Sequence, residues 1–325
     1  MEKPRPKIAV LRHSDSDGFG AAYAVWKALK DTCELLFIPV QYSQDPPLNQ
    51  LREFGPDKVF IVDFSYKAEE LRALNAEFPD LTVFDHHKTA LPELQAWLPT
   101  ESVNPGKGSY FFDESLSGCG LVWNMFHLDP EWDVEIHEFQ PSLPMPEILL
   151  YVQDRDLWRF ELEHSKEINA YIATLPEDFE VWDDFYLPEA YTAGRAVLAF
   201  QDAQVTRRLR DVRMIGFNPE AKMFGFYPPL YSAVLKEYVP QTVEVPFVNA
   251  SENQSELGEA MCKAFPTSPF SVSYCDRPDG KRSYSLRSSR GFDVSAVCKA
   301  FGGGGHHKEG KGGAGGFTLP SPDII

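Results

Sequence analysis

The feature that most constrains the fold is a regular alternation of strand-like and helix-like segments in the first 85 residues. Short apolar runs typical of buried strands occupy residues 8–11, 35–40, 59–62 and 81–84. A helical pattern over residues 18–30 separates the first two runs, with one apolar stripe formed by Phe19, Ala22, Tyr23, Trp26 and Leu29. Because alternating strands and helices build parallel sheets, we expect an α/β fold with an N-terminal parallel-sheet domain.

The second half of the chain has a different pattern. Residues 161–211 lose the strand rhythm and are polar and helical, which predicts a helical connector and a candidate face for a homodimer. Strand-like segments then return, interleaved with two amphipathic helices, at 212–217, 245–248, 270–274 and 283–286. We therefore predict a first domain over 1–160, a connector over 161–211 and a smaller C-terminal α/β domain over 212–325.

Length and charge limit the classes of function. A chain of 325 residues with 43% hydrophobic residues is large enough for two domains with buried cores. Its 48 acidic residues exceed its 31 lysines and arginines, and the net charge of −17 disfavours long duplex nucleic acid as a partner. No apolar run approaches the roughly 18 residues of a membrane span, and no signal segment is recognisable, so we expect a cytoplasmic protein without a membrane partner. The five scattered cysteines are interpreted as core residues.

Acidic and imidazole residues collect where the predicted strands end. They occur in four strings: LRHSDSDGFG, FIVDFS, TVFDHHKT and YVQDRDLW. A single Asp at such a place is often a helix cap or turn former, and HSDSDG could be a turn or the start of a calcium loop. Loops at the carboxyl ends of parallel strands are, however, where open α/β sheets bind ligands. A mixed set of carboxylates and imidazoles from four such loops suits Mn²⁺ better than Zn²⁺.

The same strings resemble a known family. HSDSDG, the Asp of VDFS, the DHH triplet at 85–87 and QDRD stand in the order of the four motifs of the DHH superfamily of phosphoesterases. SLRSS, followed by FDVSAVCKAFGGGGHH, resembles the C-terminal domain associated with that superfamily. VDFS, DHHKTAL and QDRDLW look most like its oligoribonuclease branch, NrnB. The resemblance implies two lobes with the active site in the cleft between them.

The resemblance also implies a centre with two metal ions. We expect Mn²⁺, with Mg²⁺ or Co²⁺ as possible substitutes, and Asp63 as the carboxylate between the two ions. The implied metal ligands are His13, Asp15, Asp17, Asp63, His86 and Asp154. Two such ions lower the pKa of a bridging water, so that a hydroxide attacks the phosphorus in line and no protein nucleophile is needed.

Two further residues of the DHH triplet have implied catalytic roles. Asp85 is expected to orient the histidines, because metal-bound imidazoles commonly have their second nitrogen held by a carboxylate. His87 is the best candidate to contact the scissile phosphate or to protonate the leaving oxygen. The alternative is that His87 is another metal ligand, since histidine is the commonest one.

The C-terminal domain carries a local excess of positive charge. Residues 277–311 contain eight basic and three acidic side chains, which could bind an anionic substrate or form a solvated face. The resemblance implies substrate contacts through Arg287, Ser288, Gly303, Gly304, Gly305 and His306. The sequence departs from the family after GGGGH, where HKEGKGG precedes Ala314 and lengthens the expected loop.

These observations leave several functions open. The leading hypothesis is an exonuclease that degrades short RNA oligonucleotides to mononucleotides, and its enzymatic rival is a phosphodiesterase of cyclic or linear signalling dinucleotides. An inorganic pyrophosphatase fits less well, because GGGGH and its domain look suited to a nucleotide. A non-catalytic nucleotide sensor predicts erosion of at least one metal ligand, and none is missing. A purely structural cluster would bury several carboxylates without compensation, which is costly.

Overall fold

The chain divides into two compact units, residues 1–198 and 199–325. The computed structural model describes residues 4–41, 44–98, 108–127, 143–218, 223–224, 230–232, 237–239, 242–289, 291–308 and 312–321. No helix within these residues has the length and hydropathy that crossing a membrane requires.

A five-stranded parallel sheet forms the centre of the N-terminal unit. Its strands are β1 (Lys7–His13), β2 (Glu34–Val40), β3 (Lys58–Val62), β4 (Leu81–Asp85) and β5 (Ser109–Phe112). They lie in the order β2-β1-β3-β4-β5, with every neighbouring pair parallel. The parallel sheet predicted from the apolar runs is confirmed. Strands buried on both faces read as continuous apolar segments, which is why these runs were recognisable in the sequence.

Helices cover both faces of this sheet. They are α1 (Ser16–Leu29), α2 (Leu48–Phe54), α3 (Ala68–Glu77), α4 (Leu91–Trp97), α5 (Gly118–His127) and α6 (Glu147–Asp156). Alternate strand residues face opposite sides: Val10 and Phe60 belong to the core that includes α1, α5 and α6. Leu11 and Ile61 belong to the core under α2, α3 and α4. This packing of helices on both faces of the sheet follows from the side-chain period of a strand.

The region predicted as a connector is helical. It contains α7 (Ser165–Ile172), α8 (Phe179–Asp183) and most of α9 (Leu187–Arg208), which runs across the boundary between the two units. Ile168 and Trp182 are buried in the first core of the N-terminal unit. The first two of these helices therefore pack as part of the N-terminal unit.

A seven-stranded mixed sheet forms the C-terminal unit. Its strands are β6 (Arg213–Asn218), β7 (Met223–Phe224), β10 (Val243–Asn249), β11 (Ser271–Asp276), β12 (Lys281–Ser288), β13 (Gly304–Lys308) and β14 (Gly312–Pro320), and a separate hairpin pairs β8 (Leu230–Ser232) with β9 (Glu237–Val239). The order is β13-β14-β12-β11-β10-β6-β7, and only the β10–β11 pair is parallel. Two helices, α10 (Gln254–Ala264) and α11 (Val294–Ala300), pack on it through separate core clusters. This second α/β domain is as the sequence predicted.

The glycine tract near the C-terminus differs from its sequence-based interpretation. Part of it forms β13, which pairs with β14 in antiparallel register. A Cβ atom added at Gly303 would lie 2.0 Å from the carbonyl oxygen of Gly316, and one at Gly305 would lie 2.2 Å from that of Ala314. Both glycines are therefore needed for the close approach of the two strands. Glycine has a low strand propensity, so nothing in the tract predicted a strand.

Candidate metal centre

The carboxyl ends of three adjacent strands bring the acidic and imidazole residues together. Arg12 of β1 is in register with Val62 of β3, and Val62 with Phe84 of β4. The next residue along each strand is His13, Asp63 and Asp85, respectively. These three residues therefore lie in one row across the end of the sheet, at the edge where the sequence predicted a ligand site.

Asp63 lies at the centre of the resulting cluster. Its Oδ2 is 3.8 Å from His13 Nδ1, which is also 2.8 Å from Asp15 Oδ2. Its Oδ1 is 3.1 Å from His86 Nε2. Asp63 adopts a left-handed backbone conformation with φ of 57°, and its amide donates to the carbonyl of Phe84 at 2.9 Å. This conformation turns the chain directly after the strand.

His86 connects Asp63 to a second set of carboxylates. Its Nε2 lies 3.6 Å from Asp156 Oδ2 and 3.7 Å from Asp17 Oδ2. Three groups of potential ligand atoms result, each with its atoms within 4.8 Å of one another: His13, Asp15 and Asp63; Asp17, His86 and Asp156; and Asp63, His86 and His87. Asp63 and His86 each belong to two of these groups, so the groups form one continuous cluster.

Asp85 holds His87 in place. The carboxylate oxygen Oδ1 of Asp85 accepts from both the backbone amide and Nδ1 of His87, at 2.9 and 2.8 Å. Burial opposes ionisation of Asp85, but the neighbouring His87 outweighs it and lowers the pKa of that carboxyl. An ionised carboxylate can only accept, so His87 donates to Asp85 from Nδ1, which also lies 4.0 Å from Asp63 Oδ1. Asp85 thus contacts His87, one of the two histidines that it is expected to orient.

The amino end of α5 supplies a contact that the sequence analysis missed. The backbone amides of Gly118 and Cys119 donate to the two carboxylate oxygens of Asp17, at 2.5 and 3.0 Å. A Cβ atom at Gly118 would lie 2.4 Å from Cβ of Asp63. Backbone donors at a helix start favour an anion, so α5 fixes Asp17 in one orientation. The only signal in the sequence is the small-residue string SGCG at 117–120.

The carboxylates of the cluster are incompletely satisfied without a cation. Among the described residues, the buried oxygens Asp63 Oδ2, Asp85 Oδ2 and Asp156 Oδ2 have no hydrogen-bond partner. Burial, together with the charges of Asp17 and Asp15, raises the pKa of Asp63 well above its usual range. Buried, mutually repelling carboxylates are what divalent cations neutralise, so the donor set fits a metal centre.

The same crowding shifts two other groups. Burial and the charge of Asp17 raise the pKa of Asp156 to about 6, although His86 opposes this shift. Burial disfavours the charged form of His13, but the carboxylates of Asp15 and Asp63 outweigh it and raise its pKa to about 10. In the absence of a cation, bound protons on these groups therefore reduce the net negative charge of the cluster.

Asp154 is not a member of the three ligand groups, whereas Asp156 is. The carboxylate of Asp154 accepts from the backbone amides of Glu161 and Leu162, at 2.9 and 3.4 Å, and belongs to none of the three ligand groups. Two positions along α6 correspond to about 200° of rotation, so the two aspartates of QDRD cannot face the same way. Asp156 follows Leu149 and Val152 with helical spacing, but Asp154 is itself buried on the same helix, so the sequence pattern alone did not distinguish the two aspartates.

The predicted substrate residues of the C-terminal unit are held within its own structure. Arg287 of β12 donates from Nη2 to the hydroxyl of Ser255 at the start of α10. The Ser288 hydroxyl donates to the carbonyl of Phe292 at 2.6 Å and accepts from the amide of Gly313 at 2.9 Å. Gly304 and Gly305 pair with β14, and the side chain of His306 lies outside the described residues.

Comparison with known proteins supports the family resemblance in one region. Residues 7–151 match the model of the DHH family, N-terminal domain. The uncharacterized protein R106 of Acanthamoeba polyphaga mimivirus is 28% identical over 322 residues, which are 94% of this chain and 67% of that protein.

Solved structures show more distant similarity. An uncharacterized protein from Helicobacter pylori G27 matches with a TM-score of 0.43 and 14% identity over 97% of this chain and 94% of that one. RecJ from Thermus thermophilus, solved in complex with Mn²⁺, matches with a TM-score of 0.48 and 13% identity, over 96% of this chain but 49% of the RecJ chain. Over residues 7–151, the chain is thus similar to the DHH family, N-terminal domain.

Proposed function

We propose that this chain is a two-metal-dependent phosphodiesterase that hydrolyses short oligoribonucleotides to mononucleotides, with Mn²⁺ as its cation. The observation that carries the proposal is the continuous cluster of ligand groups centred on Asp63 at the carboxyl ends of the sheet strands. Four of its members, Asp15, Asp17, Asp63 and Asp156, are carboxylates, which together carry more negative charge than one divalent cation neutralises. This charge supports two cations.

The ligand groups suggest how the cations would be held. His13, Asp15 and Asp63 would hold one cation, and a second group would hold the other through Asp17, His86 and Asp156, with Asp63 shared. Asp156 replaces Asp154 in the ligand set expected from the sequence. Oxygen and imidazole donors in this mixture suit Mn²⁺, and Mg²⁺ or Co²⁺ could substitute.

The residues around the cations would orient the reacting groups. When bound, two divalent cations would supply the positive charge that activates water and neutralises the phosphate. The amides of α5 keep Asp17 turned toward the cluster, and Asp85 keeps the ring of His87 in position. His87 would then contact the scissile phosphate or donate a proton to the leaving oxygen. As the alternative, His87 ligates a cation, and the group formed with Asp63 and His86 supports this. An unchanged Mn²⁺ stoichiometry in His87→Ala would favour the phosphate contact.

The C-terminal unit would bind the nucleotide. Its basic residues contrast with the acidic chain as a whole, and Arg287 presents a fork of donors that suits a phosphate. Ser288, Gly303 and the β13 glycines Gly304 and Gly305 would shape the surface that approaches the nucleotide, and His306 would add a hydrogen bond or a stacking face. These assignments follow the family's motif and are tested through substrate affinity.

Product analysis tests the proposed activity. The protein is incubated with Mn²⁺ and 5′-labelled RNA of two to seven nucleotides, or with linear and cyclic dinucleotides, and the products are separated by ion-exchange chromatography. Stepwise release of mononucleotides is expected. Asp63→Asn should abolish turnover, whereas the control Asp57→Asn, which changes an exposed carboxylate before the amino end of β3, should retain it.

Each other outcome assigns a different function. Cleavage confined to dinucleotides would identify a phosphodiesterase of signalling molecules. Binding without any metal-dependent product would indicate a nucleotide sensor and would contradict the proposal.

A further inference from the structure

The loop that follows Asp156 has an unusual backbone. Trp158 and Phe160 both adopt left-handed conformations, with φ of 53° and 52°. Side chains larger than that of glycine rarely occupy this region because Cβ approaches the backbone too closely. A glycine would adopt the same conformation without strain. Two bulky aromatic rings at these positions therefore point to a role for the rings themselves.

Hydrogen bonds to Asp154 and to Ser115 hold this loop, residues 157–162, in its strained conformation. The carbonyl of Asp154 accepts from the amides of Arg159 and Phe160, at 2.8 and 3.4 Å, while its carboxylate accepts from those of Glu161 and Leu162. The side chain of Arg159 donates to the carbonyl of Ser115 at 2.6 Å. The loop is thus a built structure, and Asp154 is the residue that organises it.

The loop is also close along the chain to residues of the candidate metal centre. Trp158 follows Asp156, one of the cluster carboxylates, by two residues. Ser115, which anchors Arg159, precedes by three residues the Gly118 amide that binds Asp17. Of the two residues that hold the loop, Asp154 is two residues from the candidate ligand Asp156, and Ser115 is three residues from the amide that binds Asp17.

The aromatic rings of the loop are partly exposed. Trp158 and Phe160 contact each other edge to face, with 4.9 Å between ring centroids, and the Lys166 ammonium lies 5.1 Å from the centre of the Phe160 ring. Trp158 and Phe160 are each half-buried, so a flat ligand could still contact them. Aromatic side chains of this kind bind nucleobases by stacking, with little dependence on base identity.

We propose that the loop at 157–162 contacts a nucleobase of the substrate, with Trp158 as the stacking residue and Asp154 as the residue that positions the loop. The inference rests on the proposed function, because the base belongs to the nucleotide whose phosphate would lie at the cation cluster. It adds a determinant of specificity in the N-terminal unit: the loop would favour nucleotides over phosphodiesters that lack a base.

A cycle of binding measurements tests the contact. The ligands are a phosphorothioate-linked ApA dinucleotide, an analogue that lacks the first base and an analogue that lacks the second base. Their Kd values are measured by isothermal titration calorimetry with Mn²⁺. The proteins are the wild type, Trp158→Gly, Trp158→Leu and Trp158→Tyr. The glycine and leucine variants should weaken binding of ApA about tenfold, and the tyrosine variant should largely restore it. For the analogue without the contacted base, the loss should disappear.

His164→Gly is the matched control. His164 also adopts a left-handed conformation, with φ of 58°, but its ring stacks on Tyr191 with 3.9 Å between centroids. This change relieves the same kind of backbone strain and should leave Kd unchanged for all three ligands. Trp158→Leu keeps an apolar side chain, so the test remains valid if the glycine variant does not fold.

The outcomes separate this inference from the proposed function. Equal losses for ApA and both analogues would overturn the stacking contact, even if the wild type hydrolyses short RNA. In another outcome, the Trp158 variants lose affinity only for ligands that carry the base, while the wild type hydrolyses no phosphodiester. That result would support the contact and contradict the proposed activity. No binding of ApA by the wild type would overturn both.

Discussion

Asp154 and Asp156 are two carboxylates of one helix turn with different surroundings. Asp156 belongs to a candidate ligand group, whereas Asp154 accepts backbone hydrogen bonds from the following loop. Asp156→Asn should weaken Mn²⁺ binding at least about tenfold, because even residues that only support a ligand contribute 10- to 100-fold. Isothermal titration calorimetry with Mn²⁺ measures this change.

Asp154→Asn is the control for that measurement and has its own expected effect. The amide side chain keeps one acceptor oxygen but loses the charge, so unfolding free energy should fall by about 1 kcal/mol. Mn²⁺ affinity should stay within about twofold of the wild type. A large loss of Mn²⁺ binding in Asp154→Asn with none in Asp156→Asn would restore the ligand assignment made from the sequence.

The raised pKa of Asp156 predicts a pH-dependent stability of the metal-free protein. Burial and the charge of Asp17 raise this pKa to about 6, so the fold favours the neutral carboxyl. This stabilisation is fully present below the unfolded pKa of about 3.9 and is lost as pH rises through about 6. In EDTA, Asp156→Asn should melt near the wild-type temperature at pH 4.5 and above it at pH 7.5. A melting-temperature difference that does not change with pH would contradict the raised pKa.

At the scale of single elements, the start of α5 offers a test of how backbone geometry supports the cluster. In Gly118→Ala, the new Cβ would lie 2.4 Å from Cβ of Asp63 and 2.6 Å from its Oδ1. Either the helix start or Asp63 must move, and the two hydrogen bonds that backbone amides of α5 donate to Asp17 are then strained. We expect a loss of about 1–3 kcal/mol in unfolding free energy and at least tenfold weaker Mn²⁺ binding.

Gly20→Ala separates the two effects of that change. Gly20 is also a helical glycine in a tight position, with Cβ contacts of 3.0 Å to the side chains of Cys119 and Leu149, but it faces no carboxylate. Denaturant unfolding should show a loss of stability in this variant, while Mn²⁺ titration should give the wild-type affinity. Equal Mn²⁺ affinities in Gly118→Ala and Gly20→Ala would show that α5 has no influence on the cluster.

Elements differed in how well the sequence predicted them. The strands of the first sheet are continuous apolar runs with acidic residues at their carboxyl ends, so both the sheet and the row of His13, Asp63 and Asp85 could be expected. The amides of Gly118 and Cys119 could not, because every residue carries a backbone amide and its direction depends on the fold. The glycine-rich β13 was missed since strand propensity is low for glycine and the pairing with β14 is what stabilises it.

At the scale of the whole molecule, charge governs which substrates can approach. A net charge of −17 and an isoelectric point near 4.9 oppose a long polyanion, whereas the proposed function requires only that the few basic residues of the C-terminal unit bind a short one. Substrate preference would then follow from the small number of phosphates that these residues neutralise. The affinity for RNA should then depend on salt according to the number of phosphates that the protein contacts.

Each phosphate of a single strand that the protein neutralises contributes about −0.7 to the slope of log affinity against log salt. A site that contacts two phosphates should therefore give a slope of about −1.4 for a phosphorothioate-linked trinucleotide, and the same slope for RNA of seven or twenty nucleotides. An extended basic groove would instead give a slope that steepens with length. Fluorescence anisotropy from 50 to 300 mM KCl measures these slopes, and steepening with RNA length would show that the chain binds long strands despite its acidic surface.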